Sequence, residues 1–174
     1  METAPSQKVT VPKRPLTWLI TGASSGLGLG LARHAQSRGH YVIGTSRSVA
    51  RDASLAAEIS SHPSGGRWLT LDVADLGSAA IIEDLEEREG VHIDVLVNSA
   101  GFSMHGPAEQ FTEEETRELF DTDFFGPYRL MRAVAPYMRA RRSGLILNIS
   151  TGAALDGAPS MGIYAAGKAA LDGS

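Results

Sequence analysis

Apolar residues recur along this chain in two alternating rhythms. Short unbroken runs alternate with longer stretches in which apolar positions return every three or four residues. The runs are "LTWLI" (16–20), "YVIGTS" (41–46), "RWLTLDV" (67–73), "IDVLVNSA" (93–100) and "GLILNIS" (144–150). Their length and β-branched content predict five buried strands. The longer stretches predict helices over about 26–38, stopped by Gly39, over 54–61, and over 76–89, ending at Gly90. Between 112 and 142 the helical period runs through two pieces. Thr112 and Glu115 make a capping box that opens the first. Gly126 and Pro127 fall inside the stretch, where Pro127 suits a kink or the first turn of the longer piece. A last helix is expected to begin near Ile163.

Strands that alternate with helices imply βαβ units and a parallel sheet covered on both faces. Right-handed crossovers then give an α/β, doubly wound sheet of about five strands. Residues 16–174 are expected to form one domain. Residues 1–15, polar with three prolines, are expected to be a flexible tail.

Charge and composition narrow the function classes. The formal net charge is −4 and no stripe of Lys and Arg runs along the chain, which argues against nucleic acid as a partner. The basic cluster from Arg139 to Arg142 fits the last turn of a helix. There is no cysteine, so there is no disulfide framework or thiolate chemistry. The five histidines are scattered and no HExxH occurs, so no metal site is expected. Asn148 opens a glycosylation sequon, but it lies inside an apolar run with no signal peptide before it. No apolar run reaches membrane-spanning length, and a cytoplasmic protein is expected.

"TGASSGLG" (21–28) follows the first strand and opens the first helix. Gly22, Gly26 and Gly28 match neither a Walker A loop nor G-x-G-x-x-G, yet the physics is shared. Glycines let the backbone approach a pyrophosphate, and the helix N-terminus offers N–H donors. Ser24 and Ser25 add hydroxyl donors. At the end of the second strand an acid would bind a ribose 2′-OH. Here the run is Thr45, Ser46, Arg47, with no acid and a guanidinium suited to phosphate. NADP(H) is therefore favoured over NAD(H).

Tyr164 and Lys168 stand four apart on the last helix, hence on one face. A phenol titrates near 10, too high for acid–base work at neutral pH, and a neighbouring ammonium favours its ionised form. The spacing alone is also that of a surface Tyr beside a surface Lys.

The glycine loop, "LDV" after the third strand, "NSAG" (98–101) after the fourth and "YAAGK" together resemble the classical short-chain dehydrogenase/reductase family over about 16–174. The resemblance implies a Rossmann-type fold, NAD(P)(H), and hydride transfer between nicotinamide and a small-molecule carbonyl/alcohol pair. It implies cofactor contacts from Gly22, Ser24, Ser25, Gly26, Leu27, Gly28, Ser46 and Arg47. It adds Asp72 and Val73 at the adenine, and Asn98, Ala100 and Gly101 beside the central strand. Tyr164 would be the proton donor or acceptor, and Lys168 would hold the nicotinamide ribose and lower the tyrosine pKa. Thr151 stands where the family has serine and keeps the hydroxyl. Ser150 is no substitute, since neighbours in an extended strand face opposite ways. Asp123 stands where the family has asparagine, which puts a carboxylate near Lys168. Ser99 replaces the commoner second asparagine.

Family members continue well past residue 174, so the last strands of the fold are expected to be missing and the fifth strand to be an open edge. Two further readings stay open beside an NADP-dependent oxidoreductase: a non-catalytic cofactor- or partner-binding pseudoenzyme, and an inactive truncated product. Phe102, Met104, Leu155 and Met161 suit either an apolar substrate or ordinary loop packing. The 127–142 helix commonly meets a partner subunit in this family, so a homo-oligomer is an implied partner state.

Overall fold

The computed structural model describes residues 14–174. In chain order the elements begin β1 (Thr17–Ile20), α1 (Gly26–Ser37), β2 (Tyr41–Ser46), α2 (Ala53–Ser61), β3 (Gly66–Thr70) and α3 (Ala80–Glu83). A π-helical turn, Asp84–Arg88, leads to β4 (Val95–Asn98). After a 3₁₀ turn at Ala108–Gln110 come α4 (Glu113–Phe120), a second π turn (Asp121–Phe125) and α5 (Gly126–Ala140). β5 (Leu145–Asn148), α6 (Ala153–Asp156) and α7 (Gly162–Asp172) complete the order.

All four strand pairings are parallel, and the spatial order is β3-β2-β1-β4-β5. The chain winds outward from β1 to β3, then returns to the other side of β1 as β4. That reversal creates a crevice at the carboxyl ends of β1 and β4, where doubly wound sheets take ligands. β3 and β5 are the two sheet edges, as expected for β5.

Alternation along the strands builds two cores, one on each face. Leu19, Ile43 and Leu96 meet Ile82 and Leu85 together with Leu130, Val134 and Met138 of α5. Their strand neighbours Ile20, Val42, Val95 and Val97 meet Ala32 and Ala35 of α1 and Ile59 of α2. Gly44 makes room in β2, since a Cβ there would come within 2.8 Å of the Trp68 ring.

β3, β4 and β5 end before their apolar runs do, because the chain turns where the site begins. The β3 ladder ends at Thr70, and the Asp72 carboxylate accepts the Ala74 amide at 3.0 Å to turn the chain. The β4 ladder ends at Asn98, after which the Ser99 and Ala100 amides donate to Thr21 Oγ1 at 3.1 Å each. The helix expected over 76–89 begins only at Ala80 and passes into the π turn.

Thr112 and Glu115 form the expected capping box. Of the two readings for Pro127, a kink or the first turn of the longer piece, the second is the one seen. Pro127 sits in the first turn of α5, and the irregularity lies just before it, at Asp121–Phe125. α6 was not anticipated. The tail read over 1–15 lies outside the described residues except for its end. There Arg14 is pinned, with Nη1 and Nη2 donating to Asp94 at 2.9 and 2.6 Å.

Candidate active site

The crevice at the strand reversal is a cleft of about 590 Å³. Its floor is the glycine loop. Gly22 has φ +63°, and a Cβ there would lie 2.7 Å from Ala100 Cα, so only glycine lets the two loops meet. A Cβ on Gly28 would overlap the Gly22 carbonyl. Gly26, at φ +52°, has open space around it. Gly22, Ser24, Ser25, Gly26 and Leu27 line the cleft, and Leu27 is exposed. Gly28 supports the loop from beneath.

One wall carries Ser46 and Arg47, as expected, and also Arg51, which the sequence reading missed. Arg51 Nε lies 3.6 Å from Asp52 Oδ1. Ser46 is committed elsewhere as well, because its hydroxyl accepts the Trp68 indole N–H at 3.0 Å. Asp72 and Val73 form the adjoining wall. Arg129 of α5 donates to the Val73 and Ala74 carbonyls at 2.9 Å each and holds that turn. The opposite wall is Ser99, Ala100, Gly101 and Phe102.

Asn98 is buried and does not line the cleft. Its Nδ2 donates to Asn148 Oδ1 at 2.8 Å, across the β4–β5 register pair. Asn148 Nδ2 in turn donates to Met131 Sδ. Both ends of the half-buried Asn148 amide are therefore hydrogen-bonded within the protein. Thr21 is a further contributor that went unread, although it opens the glycine-loop motif. Its hydroxyl oxygen is what turns the Ser99–Ala100 wall.

Gly101 joins the cleft to a second cluster. A Cβ there would come within 3.1 Å of both Lys168 Nζ and Asp123 Oδ1. Lys168 and Asp123 are buried, 5% and 0% exposed, and Nζ lies 3.4 Å from Asp123 Oδ2. Asp123 Oδ1 accepts the Phe102 amide at 3.0 Å. Burial pushes the Asp123 carboxyl above its ordinary range, opposed by the Lys168 charge and the Phe102 amide. The π turn aims Asp123 inward, a common use of such turns.

Tyr164 is half-buried on α7, one turn before Lys168. Thr151, just after β5, accepts the Ala153 amide on Oγ1 at 3.3 Å. Neither they nor the Lys168–Asp123 pair line the main cleft; Gly101 and Phe102 stand between. Among the described residues no cluster of metal-ligating side chains occurs, and no helix is long and apolar enough to cross a membrane.

Known proteins share this fold. Residues 17–174 match the family described as short chain dehydrogenase. Oxidoreductase claN of Passalora fulva is 39% identical over 159 residues, covering 91% of this chain and 71% of that protein. Human retinol dehydrogenase 8 is 38% identical, covering 91% of this chain and 51% of its own. Among solved structures, a short-chain dehydrogenase from Streptomyces avermitilis superposes with a TM-score of 0.84 at 39% identity, over 94% of this chain and 59% of that one. A metagenomic short-chain oxidoreductase in complex with NADP has the same TM-score at 32% identity, over 91% and 71%. The chain thus spans about half to seven-tenths of the relatives it matches. With the family match over residues 17–174 and the shared fold, it belongs to the short-chain dehydrogenase family.

Proposed function

We propose that the protein is an NADP(H)-dependent oxidoreductase that interconverts a carbonyl and an alcohol. The observation that carries this reading is the cleft at the strand reversal. Glycines without room for a Cβ, the α1 N-terminus and two guanidiniums line or support it. That donor set fits a dinucleotide. The backbone of Gly22–Gly28 and the hydroxyls of Ser24 and Ser25 would hold the pyrophosphate. Arg47, with no acid beside it, would take the 2′-phosphate. Asp72 and Val73 would border the adenine, and Ala100 and Gly101 the nicotinamide side. Asn98 would brace that wall from behind.

The cofactor supplies or accepts a hydride at the substrate carbon. In reduction Tyr164 Oη gives its proton to the carbonyl oxygen; in oxidation it takes the hydroxyl proton. Lys168, one turn on, would hold the nicotinamide ribose, and Thr151 would hydrogen-bond the substrate oxygen. Phe102, which lines the cleft, suits an apolar carbonyl, and the retinol and 3-ketodihydrosphingosine names of two relatives suggest where to look first.

The test pairs a thermal melt with a turnover assay. NADPH at a hundred times its dissociation constant should stabilise the fold by about 2.7 kcal/mol and raise the midpoint more than NADH does. Oxidation of NADPH with long-chain aldehydes and ketones, lost in Tyr164→Phe, would establish the activity. Binding without turnover would favour the pseudoenzyme reading. No shift with either cofactor would remove both.

A further inference from the structure

We propose that Asp123 sets the charge of the nicotinamide end of the cleft, and through it the relative affinity for oxidised and reduced cofactor. The inference rests on the cofactor reading above. It concerns a position where the family resemblance implies a neutral amide and this chain has a carboxylate.

The geometry makes Asp123 a direct counter-ion of Lys168. Oδ2 lies 3.4 Å from Nζ, and both side chains are buried. Oδ1 is already used, accepting the Phe102 amide. A proton on the carboxyl would therefore sit on Oδ2, which is buried and makes no hydrogen bond. The polar group facing Oδ2 is an ammonium, which cannot accept a proton. The ionised carboxylate is the form that suits both contacts. Among the described residues, Lys168 is the cation within ion-pair distance of Asp123.

The pair as a whole then carries no net charge. An amide at this position would leave the ammonium unopposed, with a net charge of +1. The two redox states of the cofactor differ at the ring in the same currency, since the oxidised nicotinamide is a cation and the reduced ring is neutral. An unopposed ammonium repels the cationic ring, and inside a partly desolvated cleft that repulsion is weakly screened. Asp123 removes the repulsion. Gly101 lies between the pair and the cleft with no side chain of its own, and a Cβ there would touch both partners. The Gly101–Phe102 segment thus separates the charge pair from the cleft.

The test is cofactor affinity in Asp123→Asn, measured by titration calorimetry with no substrate present. Asn is isosteric and its Oδ1 keeps the acceptor for the Phe102 amide, while its Nδ2 takes the place of Oδ2, so the substitution removes the negative charge and the acceptor facing Lys168 together. The ratio of the NADP⁺ dissociation constant to that of NADPH should rise by about tenfold. The dissociation constant of 2′,5′-ADP, which lacks the nicotinamide half, should not move. A ratio unchanged within about twofold, or an equal change with 2′,5′-ADP, would overturn the proposal. Wild-type protein that binds neither NADP⁺ nor NADPH would instead sink the cofactor reading on which it stands. A second measurement needs no variant: at neutral pH the Asp123 ¹³Cγ resonance of the wild type should lie at the carboxylate position. A resonance at the carboxylic-acid position would end the argument.

Discussion

At Gly22 the backbone adopts φ +63° while a neighbouring wall passes within 2.7 Å of where a Cβ would be. Two penalties coincide there, left-handed strain and overlap with Ala100. Gly22→Ala should cost about 2–5 kcal/mol in urea unfolding. Gly26 shares the left-handed φ but has no neighbour, so Gly26→Ala should cost only about 1–2 kcal/mol. Equal losses at the two sites would contradict the packing account. At the opposite end of the strands, Asp94 accepts from Arg14 and from the Thr17 amide at 3.0 Å. Burial raises its carboxyl, yet the Arg14 bonds, the Thr17 amide and the charges of Arg14 and Arg141 outweigh burial and leave it below the ordinary range. A lowered folded value means that the unfolded chain binds the proton more readily. The stabilisation is therefore full above the unfolded carboxylate pKa, near 3.8, and fades as pH falls through the lowered folded value. Asp94→Asn should lose about 1–3 kcal/mol at pH 7 and flatten the acid limb of the stability curve.

The helical path from α4 through the π turn to α5 is the element on which the site depends most. Thr112→Ala removes the hydroxyl that accepts the Glu115 amide at 3.1 Å and should cost about 1 kcal/mol, read from chemical denaturation. Deleting Thr122 tests the π turn itself. Closing it to ordinary α spacing rotates Asp123 away from Phe102, and the Phe102 amide should exchange with solvent markedly faster. Unchanged exchange would show that the extra residue does not aim the carboxylate. The run of apolar and polar positions made this helix plain, together with its capping box. It could not reveal the π turn, because five residues of wider hydrogen bonding leave the periodicity nearly intact. Asp123 was recognised by its place in a motif, while its contact with Lys168 depends on that unseen turn.

Across the whole molecule the five strands were legible as unbroken apolar runs, but burial was not uniform: β5, expected to be buried, has no buried residue and leaves Leu145 exposed, because it is a sheet edge. Leu96, fully buried in a central strand, should cost about 2–5 kcal/mol as Ala, measured by urea unfolding. The glycine loop, Arg47 and the Tyr–Lys helix were equally legible, since local motifs encode them. Thr21, Asn148 and Arg129 were not, because each acts through a partner remote in sequence, such as Val73 for Arg129, and Arg51 reaches the cleft with no motif to mark it. Arg129 has a consequence at this scale. It grips the turn behind Asp72, while Asp123 on the same helical path grips Lys168 and Phe102. The two positions are about 9 Å apart along the axis. One stiff rod thus gauges the span between the two ends of the cleft. A substitution that slides this rod along its axis would misalign both ends together, so damage at the adenine side and at the Tyr–Lys side should be inherited as a single defect.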